Sequence, residues 1–149
     1  MNNQVQAELK KIFNSRFSTS ESTRANYARG EDTYDPILSK AVVFPETNEE
    51  VSKILSLCNQ HKIPVVPFGT GTSLEGNVVG NEKGITISLE KMNKILNVNA
   101  EDFDCRVQAC VTKEQLNEYL REDGVFFPID PGANAAIGGM ASTSASGTM

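Results

Sequence analysis

The clearest structural pattern of this chain lies at residues 42–77, which read VVFPETNEEVSKILSLCNQHKIPVVPFGTGTSLEGN. The apolar run at 41–44, which a proline closes, favours a buried strand. A helix follows, because Thr47 can cap its first turn while Glu50, three residues later, reaches back to complete a capping box. A second apolar run at 63–68 predicts another strand. Two strands joined by a helix within about thirty residues form a βαβ unit, so we expect these two strands to pair in parallel.

Other elements extend this pattern toward both ends of the chain. Alternating apolar residues predict a strand over 103–111. Thr112 and Gln115 form a second capping box, which predicts a helix over 112–122. Weaker patterns predict a helix at 3–16, strands at 85–89 and 94–98, and a short strand or extended segment at 125–127. Together these elements predict an α+β fold.

Domain boundaries are predicted from the point where the regular pattern begins. Residues 1–38 are interpreted as an N-terminal helix and a connection, with the polar stretch at 18–30 exposed, and the compact domain as residues 39–149. We expect two lobes in that domain. The first would be a small sheet with the 47–61 helix packed on it, and the second would start with the strand and helix at 103–122.

Charge and composition argue against several classes of function. The chain carries 14 Lys and Arg against 19 Asp and Glu, a formal charge of −5 at pH 7. No nucleic-acid partner is expected, because a phosphate backbone needs a basic face. No apolar run approaches the ~18 residues that suggest a transmembrane helix. The N-terminal sequence MNNQVQAELKKIF lacks the basic start and apolar stretch of a signal peptide, so we expect a cytoplasmic protein.

Neither a metal site nor a catalytic triad is predicted. The chain has a single histidine, His61, and three cysteines that form no CxxC pair. Cys58, Cys105 and Cys110 are interpreted as reduced core residues, which is the usual place of a free cysteine. The acidic residues at 101–104 are interpreted as a solvated turn.

A glycine-rich loop, PFGTGTSLEGN at 67–77, directly follows a predicted buried strand. Gly69 and Gly71 permit backbone conformations that a side chain forbids, so successive N–H groups could face one concavity and bind a pyrophosphate. A Cβ at Gly71 should then obstruct these N–H groups. The loop lacks the lysine of a P-loop, and its glycines do not follow the Rossmann spacing. A plain glycine-rich turn between strands is the alternative.

A second segment of small residues, DPGANAAIGGMASTSASGT, covers residues 130–148. Small residues let the backbone lie close to a ligand and donate N–H groups to it, and the Ser and Thr hydroxyls add further hydrogen-bonding groups. The alternative is a flexible low-complexity tail.

Taken together in this order, residues 42–77 and 130–148 resemble the FAD-binding domain of the vanillyl-alcohol-oxidase/p-cresol-methylhydroxylase superfamily. Within it, the chain is most similar to the cytochrome-type D-lactate dehydrogenases and the flavoprotein subunit of glycolate oxidase. The resemblance implies a two-lobed, PCMH-type FAD-binding fold with FAD as cofactor. For the full-length protein it implies a dehydrogenase that oxidises a D-2-hydroxy acid, such as D-lactate or glycolate, and passes electrons to an acceptor that it does not identify.

The resemblance also implies which residues lie near the cofactor. Two of them depart from the family pattern that the resemblance implies: Asn77 replaces a usual histidine, and Ser144 stands where the family often has Asn or Arg. The implied cofactor-binding residues are Pro67, Phe68, Gly69, Thr70, Gly71, Thr72, Ser73 and Asn77 in the first segment, and Pro131, Gly132, Gly138, Gly139, Thr143, Ser144, Ser146 and Gly147 in the second.

Family FAD domains continue beyond the point at which this chain ends, and a separate cap domain carries the substrate site. The resemblance therefore implies that this chain supplies part of the FAD site and no catalytic residue that we can name, and that it is inactive alone. Two alternatives stay open: a stand-alone or remnant nucleotide-binding module without activity, and an FAD-dependent reductase of the same fold that NADPH feeds.

Overall fold

The computed structural model describes residues 3–147. The chain forms two compact units, which meet in sequence between Lys91 and Met92, and each unit has a hydrophobic cluster of its own. Among the described residues, no helix has the length and apolar character needed to cross a membrane.

The first unit combines a small sheet with helices. Its elements are α1 (Asn3–Phe13), β1 (Phe17–Ser18), α2 (Glu21–Asn26), β2 (Val42–Val43), α3 (Asn48–Gln60), β3 (Val65–Phe68) and β4 (Ile85–Ser88). The strand order is β1-β2-β4-β3; β2 and β3 each run parallel to β4, and β1 is antiparallel to β2. The α3 helix therefore crosses from β2 to β3 over the strand between them.

The expected direct pairing of the strands at 41–44 and 63–68 is wrong, because β4 lies between them. All four residues of β4 are buried, and a strand that buries both faces belongs in the middle of a sheet. Pro67 lies in β3 and cannot donate a ladder hydrogen bond, which favours an edge position for that strand. The parallel arrangement is as predicted; the strand order is not.

The N-terminal helix contributes directly to the core of the first unit. Val5, Leu9 and Phe13 on α1 are buried in one cluster with Ile54 and Cys58 of α3. The stretch at 18–30 is also less exposed than expected, since it contains α2 and the fully buried Ala28. The boundary predicted at residue 39 stays a prediction, but core residues lie on both sides of it.

The start of α3 follows the predicted capping box only in part. The Thr47 hydroxyl accepts the N–H of Glu50 at 3.2 Å, as expected. The Glu50 carboxylate does not return this bond to Thr47; it accepts the N–H of Glu46 and a bidentate pair from Arg16, with both N–O distances at 2.6 Å. Hydrogen bonding to the Arg16 guanidinium lowers the pKa of Glu50 from 4.5 to about 2. This pair ties the segment after α1 to the first turn of α3.

The second unit is built on a β-hairpin and two helices. Its elements are β5 (Ile95–Asn99), β6 (Asp104–Val107), α4 (Lys113–Leu120) and α5 (Ile137–Ser142), and β5 pairs antiparallel with β6. Val111, Leu116 and Leu120 form its buried cluster. The hydroxyl of Thr112 caps α4 by accepting the N–H of Gln115, as predicted.

Two predictions for the second unit are wrong in detail, and at a third position one of two alternatives is excluded. The strand predicted over 103–111 is shorter, because Phe103 adopts a left-handed conformation (φ 54°) and the ladder ends at Val107. Of the short strand or extended segment predicted at 125–127, the strand is absent, and the Asn117 side chain bonds both the N–H and the carbonyl of Phe127. Cys105, expected in the core, is exposed on β6, whereas Cys58 and Cys110 are buried.

Candidate functional site

The glycine-rich loop follows the carboxyl end of β3 in the first unit, where the ends of parallel strands commonly bind ligands. Gly71 has φ +76°, a left-handed value that favours glycine. An added Cβ would also lie 2.7 Å from Cζ of Phe68. Phe68 is only 7% exposed, and its ring packs edge-on against Tyr27 with centroids 5.0 Å apart. Position 71 therefore requires glycine for its conformation and for the space that Phe68 occupies.

This geometry corrects the expected role of Gly71. A side chain there would point at the Phe68 ring, whereas the sequence predicted that it would obstruct the N–H groups themselves. The effect of a substitution on the loop is thus indirect: the ring or the loop backbone must shift to relieve the overlap.

The loop presents unpaired backbone donors. Within the described part of the chain, the N–H groups of Gly71, Thr72 and Ser73 donate to no acceptor, and these residues are only partly exposed. Consecutive N–H groups without partners, in a turn with a left-handed residue, form the kind of concavity that binds anions. Residues 67–77 contain no lysine or arginine, so these neutral donors are what the loop offers to a phosphate. The chemistry of these donors fits a phosphate anion such as a pyrophosphate.

A hydrogen bond between the side chains of Asn77 and Ser73 stabilises the C-terminal part of this loop. The side-chain amide of Asn77 donates to the Ser73 hydroxyl at 3.0 Å, and the N–H of Glu75 reaches the same oxygen at 3.4 Å. The Thr70 and Thr72 hydroxyls lie 3.3 Å apart. Asn77, at a position where the resemblance implies a histidine, thus has a role within the loop.

The second predicted segment lies in the other unit and is more ordered than a low-complexity tail. Residues 137–142 form α5, an element that the sequence did not predict. The hydroxyls of Ser142 and Thr143 donate back to the carbonyls of Gly138 and Gly139, at 2.8 and 3.0 Å, which is how such residues are accommodated at a helix end. Thr148, the last residue of this motif, lies outside the described residues.

The four glycines of this segment serve different purposes. A Cβ on Gly138 would lie 2.8 Å from the Ala109 carbonyl oxygen, and one on Gly147 would lie 2.4 Å from the backbone carbonyl oxygen of Asp130. Both glycines therefore permit close backbone packing. A Cβ on Gly132 or Gly139 would meet nothing within 4 Å. Gly132 and Gly139 are therefore the two that leave open surface for a ligand.

Asp130 organises the turn at the start of this segment. Its Oδ1 accepts the N–H of Gly132 at 2.9 Å and lies 2.8 Å from Nζ of Lys113. The hydrogen bond from Lys113 is the main cause that lowers the pKa of Asp130, and the Gly132 N–H adds to it. Pro131 is exposed beside this turn, and Ser144 and Ser146 are exposed after α5, with Ser144 in a left-handed conformation (φ 53°).

One contact to the glycine-rich loop escaped the sequence analysis. Residues 30–32, interpreted as part of a connection, lie against Gly71 and Ser73. The only sequence signal was a Gly-Glu-Asp triplet typical of a turn, and nothing in it indicates a contact forty residues away in the chain.

A protein-family model for an FAD-binding domain matches residues 39–149. The chain belongs to the FAD-binding domain family. FAD, the cofactor that the resemblance implied, is thereby confirmed as the cofactor of this family.

Curated relatives of this FAD-binding domain include hydroxy-acid oxidising enzymes. It is 44% identical over 131 residues to a probable mitochondrial D-lactate dehydrogenase of Danio rerio, a match that covers 88% of the chain and 26% of the relative. It is 38% identical to a mitochondrial D-lactate dehydrogenase (cytochrome) of Arabidopsis thaliana, covering 96% and 26%. Glycolate oxidase subunit GlcD of Bacillus subtilis is 31% identical, with 83% and 27% covered. The chain thus spans about a quarter of the length of these relatives.

Solved structures confirm the PCMH-type fold of this FAD-binding domain. An alkyldihydroxyacetonephosphate synthase superposes with a TM-score of 0.88 at 21% identity, covering 99% of the chain and 30% of that protein. A p-cresol methylhydroxylase superposes with a TM-score of 0.71 at 24% identity, covering 82% and 25%. At these identities the likeness concerns the fold.

Proposed function

We propose that the full-length protein is an FAD-dependent dehydrogenase that oxidises a D-2-hydroxy acid, such as D-lactate or glycolate, to the 2-keto acid. The observation that carries this proposal is the set of unpaired N–H groups at Gly71, Thr72 and Ser73, presented at the end of a parallel strand. The substrate class is supported by the names of the D-lactate dehydrogenase and glycolate oxidase relatives.

In this proposal the first unit binds the pyrophosphate of FAD. The three N–H groups donate to phosphate oxygens, and the loop keeps its conformation because the left-handed backbone of Gly71 fits against Phe68. Pro67, Gly69 and Thr70 complete the loop, and Asn77 holds its end through Ser73. Neutral donors suffice where a loop wraps closely around an anion.

The second unit contributes open backbone and hydroxyl groups. Gly132 and Gly139 leave room for direct approach of the cofactor. Gly138 and Gly147 allow segments of the backbone to pack closely, and residues next to them in the sequence contact the cofactor. Further contacts are proposed from Pro131, Thr143, Ser144 and Ser146. When bound, FAD supplies the hydride acceptor, while the protein supplies position and electrostatics.

The substrate assignment is tested by rapid mixing of the anaerobic full-length protein with candidate reductants. We expect D-lactate or glycolate to bleach the flavin absorbance, with L-lactate as the stereochemical control for D-lactate. Bleaching by NADPH and not by any hydroxy acid would contradict the proposal and favour a reductase of the same fold. The 149-residue chain alone is expected to show no turnover, because most of the relatives' length lies outside it. Turnover of D-lactate by this chain would contradict that expectation. A cytoplasmic location stays a prediction.

A further inference from the structure

The backbone of residues 30–32 supports the glycine-rich loop from outside. The N–H of Glu31 donates to the carbonyl of Gly71 at 3.0 Å. Gly30 lies so close that an added Cβ would be 2.5 Å from the Gly71 oxygen and 3.0 Å from the Ser73 oxygen. Residues 30–32 therefore contact two carbonyl groups of the loop. This segment precedes the region matched by the family model.

Asp32 fixes the shape of that segment. Its side chain is nearly buried, and the residue is 8% exposed. One carboxylate oxygen accepts the N–H of Gly30 at 3.1 Å and the other accepts the N–H of Tyr34 at 3.0 Å. The two bonds hold Gly30 and the Glu31 donor in the conformation that contacts the loop.

The hydrogen bond from Glu31 also sets the direction of a proposed phosphate donor. The peptide bond between Gly71 and Thr72 is trans, so its carbonyl and its N–H point in opposite directions. Because the Gly71 carbonyl points at Glu31, the N–H of Thr72 points away from the segment. Rotation of this peptide plane would change the direction of that donor.

We propose that Gly30, Glu31 and Asp32 are positioning residues for pyrophosphate binding, so that the cofactor-binding unit begins upstream of residue 39. The segment acts through the loop and does not itself touch the cofactor. This inference rests on the proposed binding of FAD pyrophosphate at Gly71, Thr72 and Ser73.

The test compares two glycine substitutions in the full-length protein. Gly30→Ala introduces a Cβ 2.5 Å from the Gly71 oxygen, and Gly84→Ala introduces one 2.4 Å from the Pro64 oxygen. The overlaps are matched, but Gly84 precedes β4 and Pro64 precedes β3, so the control lies at the opposite end of these strands from the loop. The apoprotein of each variant is titrated with FAD, ADP and riboflavin, and thermal unfolding is followed in parallel.

We expect Gly30→Ala to weaken binding of FAD and of ADP by about tenfold or more, the loss expected when a hydrogen bond to a charged group is misaligned. Riboflavin lacks the pyrophosphate, so its affinity should change less than twofold. Gly84→Ala should lower the unfolding temperature without this selective loss. Equal affinities for FAD and ADP in the wild type and Gly30→Ala would overturn the inference, as would equal losses in both variants or for all three ligands.

Asp32→Asn gives a second test if Gly30→Ala does not fold. An amide keeps the size of the side chain and one acceptor but places an NH2 group against one of the two N–H donors. The same selective loss of FAD and ADP affinity is expected, and unchanged affinity would overturn the inference. A wild-type protein that binds neither FAD nor ADP would instead contradict the proposed function.

Discussion

Replacement of Gly71 by alanine tests whether the loop depends on its close contact with Phe68. The left-handed conformation costs a residue with a Cβ about 1–2 kcal/mol relative to glycine. The new Cβ would also meet the Phe68 ring at 2.7 Å, well inside ordinary contact. Relief of such an overlap costs about 1–3 kcal/mol. The ring cannot turn away freely, because Tyr27 packs against it.

Gly124→Ala provides a matched control for this substitution. Gly124 is also left-handed, at φ +69°, but a Cβ there meets nothing within 4 Å. It should therefore cost only the conformational ~1–2 kcal/mol, whereas Gly71→Ala should cost about 2–5 kcal/mol in total unless the loop moves. If the loop of Gly71→Ala shifts to relieve the overlap, the free energy of unfolding stays near that of the wild type, but flavin is no longer retained. Gly71→Val should be more severe, since a β-branched residue resists positive φ strongly.

The assay is flavin absorbance per protein after gel filtration of the full-length variants, with circular dichroism to confirm folding. We expect Gly71→Ala to lose most of its flavin and Gly124→Ala to keep it. Asp102→Ala, at an exposed position in a short 3-10 helix, should also keep it. A folded Gly71→Ala protein with full flavin content and wild-type stability would refute the reasoning, because neither the overlap nor the strain would then matter.

Three further predictions concern stability. The pKa of Glu50 is about 2 in the folded protein, against 4.5 ordinarily. Its contribution to the free energy of unfolding, about 1–3 kcal/mol, is therefore present above pH 4.5 and is lost as the pH falls toward 2. Urea denaturation should show that the stability of Glu50→Gln falls less steeply at acid pH than that of the wild type, and an equal fall in both would contradict the pairing with Arg16. Ser88→Ala should be neutral or stabilise by up to about 1 kcal/mol, because the buried Ser88 hydroxyl has no partner among the described residues. Thr86→Val, on the same strand, should destabilise by about 1 kcal/mol, because its hydroxyl donates to Ser39; the same sign of change for both would contradict this assignment.

Local patterns predicted most elements of this fold correctly. Apolar periodicity and capping residues predicted α3 and α4, and in each helix the threonine bond to the third residue of the first turn is present. These signals depend on neighbours a few residues apart, which a sequence displays directly. The glycine-rich loop was recognisable for the same reason.

Strand order and long-range support were not predictable in the same way. The central place of β4 depends on which strand buries both faces, and the core position of α1 depends on a partner helix some forty residues away. Residues 125–127 form no strand, and Phe127 bonds instead to the Asn117 side chain, a partner that periodicity cannot reveal. The direction of a Cβ at Gly71, and the contact of Gly30 with the loop, likewise exist only in three dimensions.

Whether the protein binds FAD through its glycine-rich loop is tested by identifying the flavin in the purified wild-type full-length protein. The flavin is identified by its absorbance and by the mass of the released cofactor. We predict FAD in stoichiometric amount, retained through gel filtration and displaced competitively by excess ADP from the reconstituted apoprotein, because the loop at Gly71–Ser73 would hold the pyrophosphate common to both. A colourless, folded protein that takes up neither FAD nor ADP would contradict the claim.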